Sequence, residues 1–290
     1  MTAQRRHIVL REFPPNLNRT VRPSAEYLET TDGSLPDEDY LVRTDANGYL
    51  ETGNANRGAI PLYILGDSFN EAVFEHEGQR FSDIFERNLI EQNLDYRVLN
   101  ASYSRASLLH IFNIFMNKVL SAKPIEGTTV ILFKPQIDVR IVNAPGSYWN
   151  EFGMYSPISP ASVETDAITH DLDQDIESGE RLLHLIADAC ERFGIRLVLG
   201  TSPARNSDRQ TDPVLFKYFE SDEERSKRAA QRDASNALVR RIANSRSLHL
   251  VDADRSFAGN SNLLYDYTHM NSAGQHHLAE LLTRELSERL

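Results

Sequence analysis

The rhythm of hydrophobic and polar positions changes along this chain. From residue 61 onward, short apolar runs rich in β-branched residues recur at 62–65, 97–99, 129–133, 196–199 and 248–251. Runs of this length read as buried strands. Between them the apolar positions recur every three or four residues. Phe81, Ile84, Phe85 and Leu89 form one such stripe, and Leu108, Ile111, Phe112, Phe115, Met116 and Val119 another. Leu182, Leu183, Leu185, Ile186 and Cys190 form a third, and Ala234, Leu238 and Ile242 a fourth. A last stripe, Leu278, Leu281, Leu282 and Leu286, follows the helix-start sequence Asn271-Ser272-Ala273-Gly274. Such spacing predicts helices with one buried face. Strands alternating with helices predict a parallel five-stranded sheet, right-handed crossovers and helices on both faces. In folds of this α/β class the ligand lies beyond the carboxyl ends of the strands.

The first sixty residues follow another pattern. Pro14-Pro15, Asp32-Gly33-Ser34, Pro36-Asp37-Glu38-Asp39 and Asn47-Gly48 place turn formers at short intervals. Residues 40–44 and 49–52, flanking Asp45-Ala46-Asn47-Gly48, read as a small hairpin. The expected organisation is an extended N-terminal arm over residues 1–58, packed on a main domain over 59–290.

Composition narrows the class. The 290 residues contain 31 Lys and Arg against 42 Asp and Glu, a formal net charge of −11. That balance argues against a nucleic-acid or anionic-membrane partner. A single cysteine, Cys190, permits no intrachain disulfide, and no long apolar run or leader-like segment is visible. A cytoplasmic location is the resulting expectation. The composition leaves the oligomeric state open.

The chemistry is sought at the strand ends. The first strand runs directly into Gly66-Asp67-Ser68-Phe69, which puts a serine on a sharp turn ahead of a helix. Amide N–H groups at such a turn favour a developing oxyanion. After the fifth strand comes Asp266-Tyr267-Thr268-His269. A serine hydroxyl is a weak nucleophile and needs a neighbouring base, a role that suits imidazole with its ordinary pKa of about 6.5. A carboxylate three residues before the histidine can hold its tautomer through a local turn.

Gly66-Asp67-Ser68-Phe69 together with Asp266-x-x-His269 resembles the first and last signature blocks of the SGNH/GDSL hydrolases, from about Pro61 to the C-terminus. Asn47-Gly48-Tyr49 also resembles the lead-in of bacterial polysaccharide-associated members. The resemblance implies a flavodoxin-like three-layer α/β/α sandwich. It also implies an acyl-ester hydrolase with Ser68 as nucleophile, His269 as general base and Asp266 orienting the histidine. Such a mechanism requires no metal or organic cofactor. The family's Asn-Ala-Gly is here Asn100-Ala101-Ser102, and its Gly-x-Asn-Asp is here Pro135-Gln136-Ile137-Asp138. Isoleucine cannot supply the asparagine's hydrogen bond, so the expected oxyanion hole is the N–H groups of Ser68 and Ser102 with Gln136 as a side-chain donor.

Asp67, Asn100 and Lys134, in or beside these blocks, are further candidates for substrate contact. Two long segments, 139–170 and 201–220, follow strand ends and are expected to border the site. Arg140 and Arg205 are candidates for gripping an acidic substrate, and Trp149 for stacking on a sugar ring. His76 lacks the second histidine of a metal motif, and His110 and Cys190 read as structural. The substrate implied is an O-acylated, most simply acetylated, carbohydrate or small metabolite. Two alternatives use the same fold: a carbohydrate O-acyltransferase with the same three residues, and a catalytically decayed carbohydrate-binding module.

Overall fold

The computed structural model describes residues 5–141, 145–160 and 176–290 of the chain. Its centre is a five-stranded parallel sheet built from β1 (Ile60–Leu65), β2 (Tyr96–Asn100), β3 (Thr129–Phe133), β4 (Arg196–Gly200) and β5 (His249–Val251). The spatial order is β2-β1-β3-β4-β5, with every pairing parallel. This is the flavodoxin-like order, in which the chain first builds one edge and then crosses β1 to build the other.

Strict alternation along the strands separates the two faces. Tyr63, Leu65, Leu99, Val130, Leu132, Leu197 and Leu199 point to one side. There they meet α2 (Leu108–Ile114), α3 (Ile176–Arg192) and α4 (Asp222–Ser245). Leu62, Ile64, Val98, Ile131, Phe133, Val198 and Val251 point to the other side, against α1 (Phe81–Glu91) and α5 (Ser272–Leu286). The result is a three-layer α/β/α sandwich. Burial on both faces explains why these strands read as continuous apolar runs.

Local signals set the helix ends. Ser107 begins α2 with a capping box completed by His110, Ser221 caps α4, and Asn271 caps α5. The stripe expected to continue from Leu108 through Val119 is α-helical only to Ile114 and widens into a π turn over Phe115–Val119. His110 is fully buried within its capping box, and burial lowers its pKa to about 4. Cys190 is a buried free thiol on α3.

Residues N-terminal to β1 lie across one end of the sandwich. Tyr40–Arg43 pairs antiparallel with Asn18–Val21, not with residues 49–52. The expected hairpin is reduced to the turn at Asp45–Gly48 and a single bridge between Thr44 and Leu50. Leu50 also bridges to Asn100, so this segment covers part of the β2 edge. Phe13, Val42 and Leu50 share a small core with Val73 and Tyr103. Among the described residues no helix is long and apolar enough to cross a membrane. Of the segment 139–170, residues 142–144 and 161–170 lie outside the described residues.

Candidate active site

Ser68 opens a four-residue helix, Ser68–Glu71, immediately beyond the carboxyl end of β1. Asp67 is its N-cap and accepts from the Phe69 N–H at 3.1 Å. Gly66 is required here by space: a Cβ at this position would stand 2.1 Å from Asn70 Oδ1. The Ser68 N–H lies in the first turn, among the amides that no carbonyl four residues back can satisfy.

The partner loop follows β5, an edge strand of the sheet, and precedes α5. Leu264 and Met270 bridge antiparallel, which closes residues 265–269 into a tight loop just before α5. Inside it, Asp266 Oδ1 accepts the N–H groups of Thr268 at 2.7 Å and His269 at 2.6 Å. Asp266 Oδ2 meets His269 Nδ1 at 2.7 Å, and His269 Nε2 meets Ser68 Oγ at 2.9 Å. The Tyr265 ring stacks on the imidazole, with centroids 5.8 Å apart and planes 16° apart.

Burial by itself favours a neutral imidazole. The Asp266 charge and hydrogen bond, with smaller contributions from Asp67 and Glu71, outweigh it and hold His269 above the ordinary histidine value of 6.5. Burial also lifts Asp266, but His269 and the two loop amides reverse this and keep the carboxylate below its ordinary value. Asp67 is buried. Burial raises its pKa despite N–H bonds from Gln136 at 2.7 Å, Phe69, and Ile137 at 3.4 Å.

Two cavities meet at the serine. One, of about 580 Å³, extends toward α4 and is bordered by Gln136, Arg140, Tyr218 and Tyr267. The other, of about 500 Å³, extends toward the N-terminal residues and is bordered by Tyr27, Glu71 and Phe74. Ser68, Arg105 and His269 line both.

Solved structures share this architecture at low sequence identity. LAE5, an alpha/beta hydrolase from the metagenome of Lake Arreo, Spain, is 19% identical with a TM-score of 0.54, over 79% of this chain and 95% of its own. The acetyl xylan esterase AlAXEase is 17% identical with a TM-score of 0.52, over 78% and 100%. Axe2, an acetylxylan esterase from Geobacillus stearothermophilus, is 18% identical with a TM-score of 0.54, over 80% and 95%. The fold is one that acetyl xylan esterases also use. No family model matches the chain, and no curated protein matches it either.

Several residues expected at the site are engaged elsewhere. The Ser102 N–H donates to Asn100 Oδ1 at 3.0 Å, which takes it away from an oxyanion. Gln136 lines the larger cavity, but its side-chain amide donates to Pro203 O at 2.6 Å and its backbone N–H serves Asp67. Asn100 is fully buried and donates to Asn70 O at 2.8 Å. Lys134 is buried against Asp138 at 2.9 Å. Arg205 is held by Asp212 at 2.6 Å, Asp32 at 3.1 Å and the Leu264 carbonyl, so it braces the loop before Asp266 rather than facing a cavity. Trp149 is 54% exposed and borders neither cavity. Arg140 and Asp67 do line the larger cavity.

Other residues at the site were not singled out from the sequence. Tyr27, far upstream of β1, donates its hydroxyl to Asp266 Oδ2 at 2.8 Å. Arg105 follows the Asn100-Ala101-Ser102 block in a left-handed conformation with φ 62°. Arg228 and Arg232 reach the cavity from α4. His76 contacts Glu38 at 3.1 Å, and no group of residues able to hold a metal ion occurs among the described residues.

Proposed function

We propose that the protein is a serine-dependent acyl-ester hydrolase of the SGNH/GDSL type that removes a small acyl group, acetyl in the simplest case, from a carbohydrate or small metabolite. The observation that carries this reading is the unbroken relay from Ser68 Oγ through His269 to Asp266, with links of 2.9 and 2.7 Å, opening into two cavities. Supporting it, catalytic mutants of Axe2 carry their substitutions at a serine, an aspartate and a histidine, the last two three residues apart. Asp266 and His269 have the same spacing.

In this mechanism Ser68 Oγ attacks the ester carbonyl carbon while its proton passes to His269 Nε2. The tetrahedral intermediate collapses, the C–O bond to the alcohol breaks, and His269 returns the proton to the leaving oxygen. Water then adds to the acyl-enzyme with His269 again as base, which releases the acid and regenerates Ser68. Asp266 stays ionised and stabilises the imidazolium. The Ser68 N–H is the backbone donor to the oxyanion. Arg105, shared by both cavities, takes the place of the missing asparagine as the side-chain group that meets the developing charge.

The test is acetate release from acetylated xylo-oligosaccharides and from p-nitrophenyl acetate. Turnover that falls by about 10⁴-fold or more in Ser68→Ala supports the reading. Turnover that survives this substitution sinks it. With a sugar acceptor present, acylated sugar formed at the expense of free acid would identify the transferase alternative.

A further inference from the structure

The larger cavity is cationic in a chain of net charge −11. Arg228 and Arg232 stand one turn apart on α4, and with Arg140 they line the same cavity as Ser68. Like charges at this spacing repel one another, and burial adds to the cost. Burial and the nearby Arg140 charge hold the Arg228 guanidinium below its ordinary pKa.

Among the described residues the one carboxylate paired with the group is the exposed Asp233, on Arg232. Neither Arg140 nor Arg228 has a carboxylate within ion-pair distance there, and Arg140 instead donates to the Tyr218 hydroxyl at 3.0 Å. Arg228 Nη1 is buried without a hydrogen-bond partner. Arg232 is 7% exposed, and its buried Nε likewise has no partner, although Nη2 reaches the exposed Asp233 at 2.9 Å. Arg205 and Arg240, by contrast, are paired with carboxylates, Arg205 with Asp212 and Asp32 and Arg240 with Asp252 and Asp254. Arg228 and Arg232 leave buried donors unspent beside Arg140 in one cavity, an arrangement suited to receive an anion.

We propose that Arg140, Arg228 and Arg232 form a subsite for an anionic group of the substrate. The substrate class would then be an O-acylated sugar or polyol that also carries a carboxylate or a phosphate. The ester-hydrolase reading enters only in placing the ester at Ser68 and the anion in the cavity beside it. Tyr218 and Tyr267, with ring centroids 5.0 Å apart and lining the same cavity, supply an aromatic surface for the sugar ring.

The experiment is calorimetric titration of the full chain carrying Ser68→Ala, which measures binding without turnover. The probes are methyl glucuronoside, glucose 1-phosphate and the neutral control methyl glucoside. The expected result is binding of one or both anionic probes at least about tenfold tighter than the control, weakening with added salt. Preference for the glucuronoside identifies a carboxylate, and preference for the phosphate identifies a sugar phosphate. Arg228→Gln and Arg140→Gln should each weaken that binding by about tenfold, while Arg228→Lys, which keeps the charge, should retain most of it. Arg228→Gln should melt no lower than its parent, because it removes a repulsion. Equal affinity for charged and neutral probes, or binding indifferent to both glutamine substitutions, would overturn the proposal. Turnover of neutral esters with no anion preference would overturn this inference and leave the hydrolase reading standing. Anion binding without hydrolysis of any ester would do the reverse.

Discussion

The Tyr27 hydroxyl donates to Asp266 Oδ2 at 2.8 Å, to the same oxygen that meets His269 Nδ1. A residue more than two hundred positions upstream thus shares the carboxylate on which the histidine depends. Tyr27 belongs to a short helix, Ala25–Glu29, capped by Ser24, and its ring packs near Phe74 and Tyr265. The N-terminal segment therefore reaches the base of the relay as well as the outside of the sandwich.

Tyr27 should act as a positioning residue. Tyr27→Phe removes one hydrogen bond to a charged group, so kcat/KM should fall about tenfold, corresponding to about 1.5 kcal/mol. Asp266, freed of one donor, should hold the imidazolium more strongly, and the acid limb of the pH profile should move to higher pH. A purely structural role would lower the melting temperature and leave that limb in place.

The pH dependence of the reaction follows from His269. In the proposed mechanism it must be neutral to take the serine proton, and the Asp266 carboxylate holds its pKa above 6.5. Activity should therefore rise with pH through an apparent pKa above that value. Glu71 raises it only once its own carboxyl, pushed up to about 7, has ionised, so Glu71→Gln should shift the limb downward only slightly. A limb below 6.5 in the wild type would contradict this account of the site.

Glu71 also carries a stability prediction. Burial, only partly offset by the Ser104 hydroxyl, pushes its carboxyl up to about 7 from an ordinary 4.5. Between those values the folded protein holds a proton that the unfolded chain has released, so this group's contribution falls as pH rises. His110, lowered to about 4, works in the opposite direction over part of the window, so the group must be isolated by comparison. The stability of Glu71→Gln relative to wild type should increase from pH 5 to pH 8 in urea unfolding. A difference independent of pH would count against the assignment.

Arg105 should matter in the transition state more than in binding. Arg105→Ala is expected to lower kcat by about 10²–10³-fold with a smaller change in KM. Steady-state kinetics on p-nitrophenyl acetate would check this. A pure KM effect would make Arg105 a substrate contact and leave the side-chain oxyanion donor unassigned.

Packing constrains the loop that carries the histidine. A Cβ at Gly274 would lie 2.2 Å from the Leu263 carbonyl oxygen, a backbone atom that cannot swing aside. Gly274→Ala should destabilise the fold by about 1–3 kcal/mol and reduce activity together with it, as chemical denaturation and a parallel ester assay would show.

Much of this architecture was legible in the sequence because local pattern and burial coincide. Val130–Phe133 is apolar throughout because helices cover both sides, Ser68 falls at the end of β1, and Asp266-x-x-His269 falls just ahead of α5. The parts that were not legible depend on distant contacts. Tyr27 lies in a turn-rich stretch whose path no local signal specifies. Arg228 and Arg232 belong to a polar, charge-rich helix that reads as a solvated face, and only its docking beside the sheet turns them into a cavity wall. Arg205 and Trp149 looked equally suitable by residue type. One is consumed by Asp212 and Asp32, and the other points to solvent.

The central claim is that Ser68 is a nucleophile activated by His269. The most direct measurement is exposure to a fluorophosphonate ester followed by mass-spectrometric mapping of the adduct. The account predicts a single phosphonylated site at Ser68, formed rapidly in the wild type and absent in both Ser68→Ala and His269→Ala. An unlabelled Ser68 in folded protein, or labelling that proceeds equally well without His269, would contradict it.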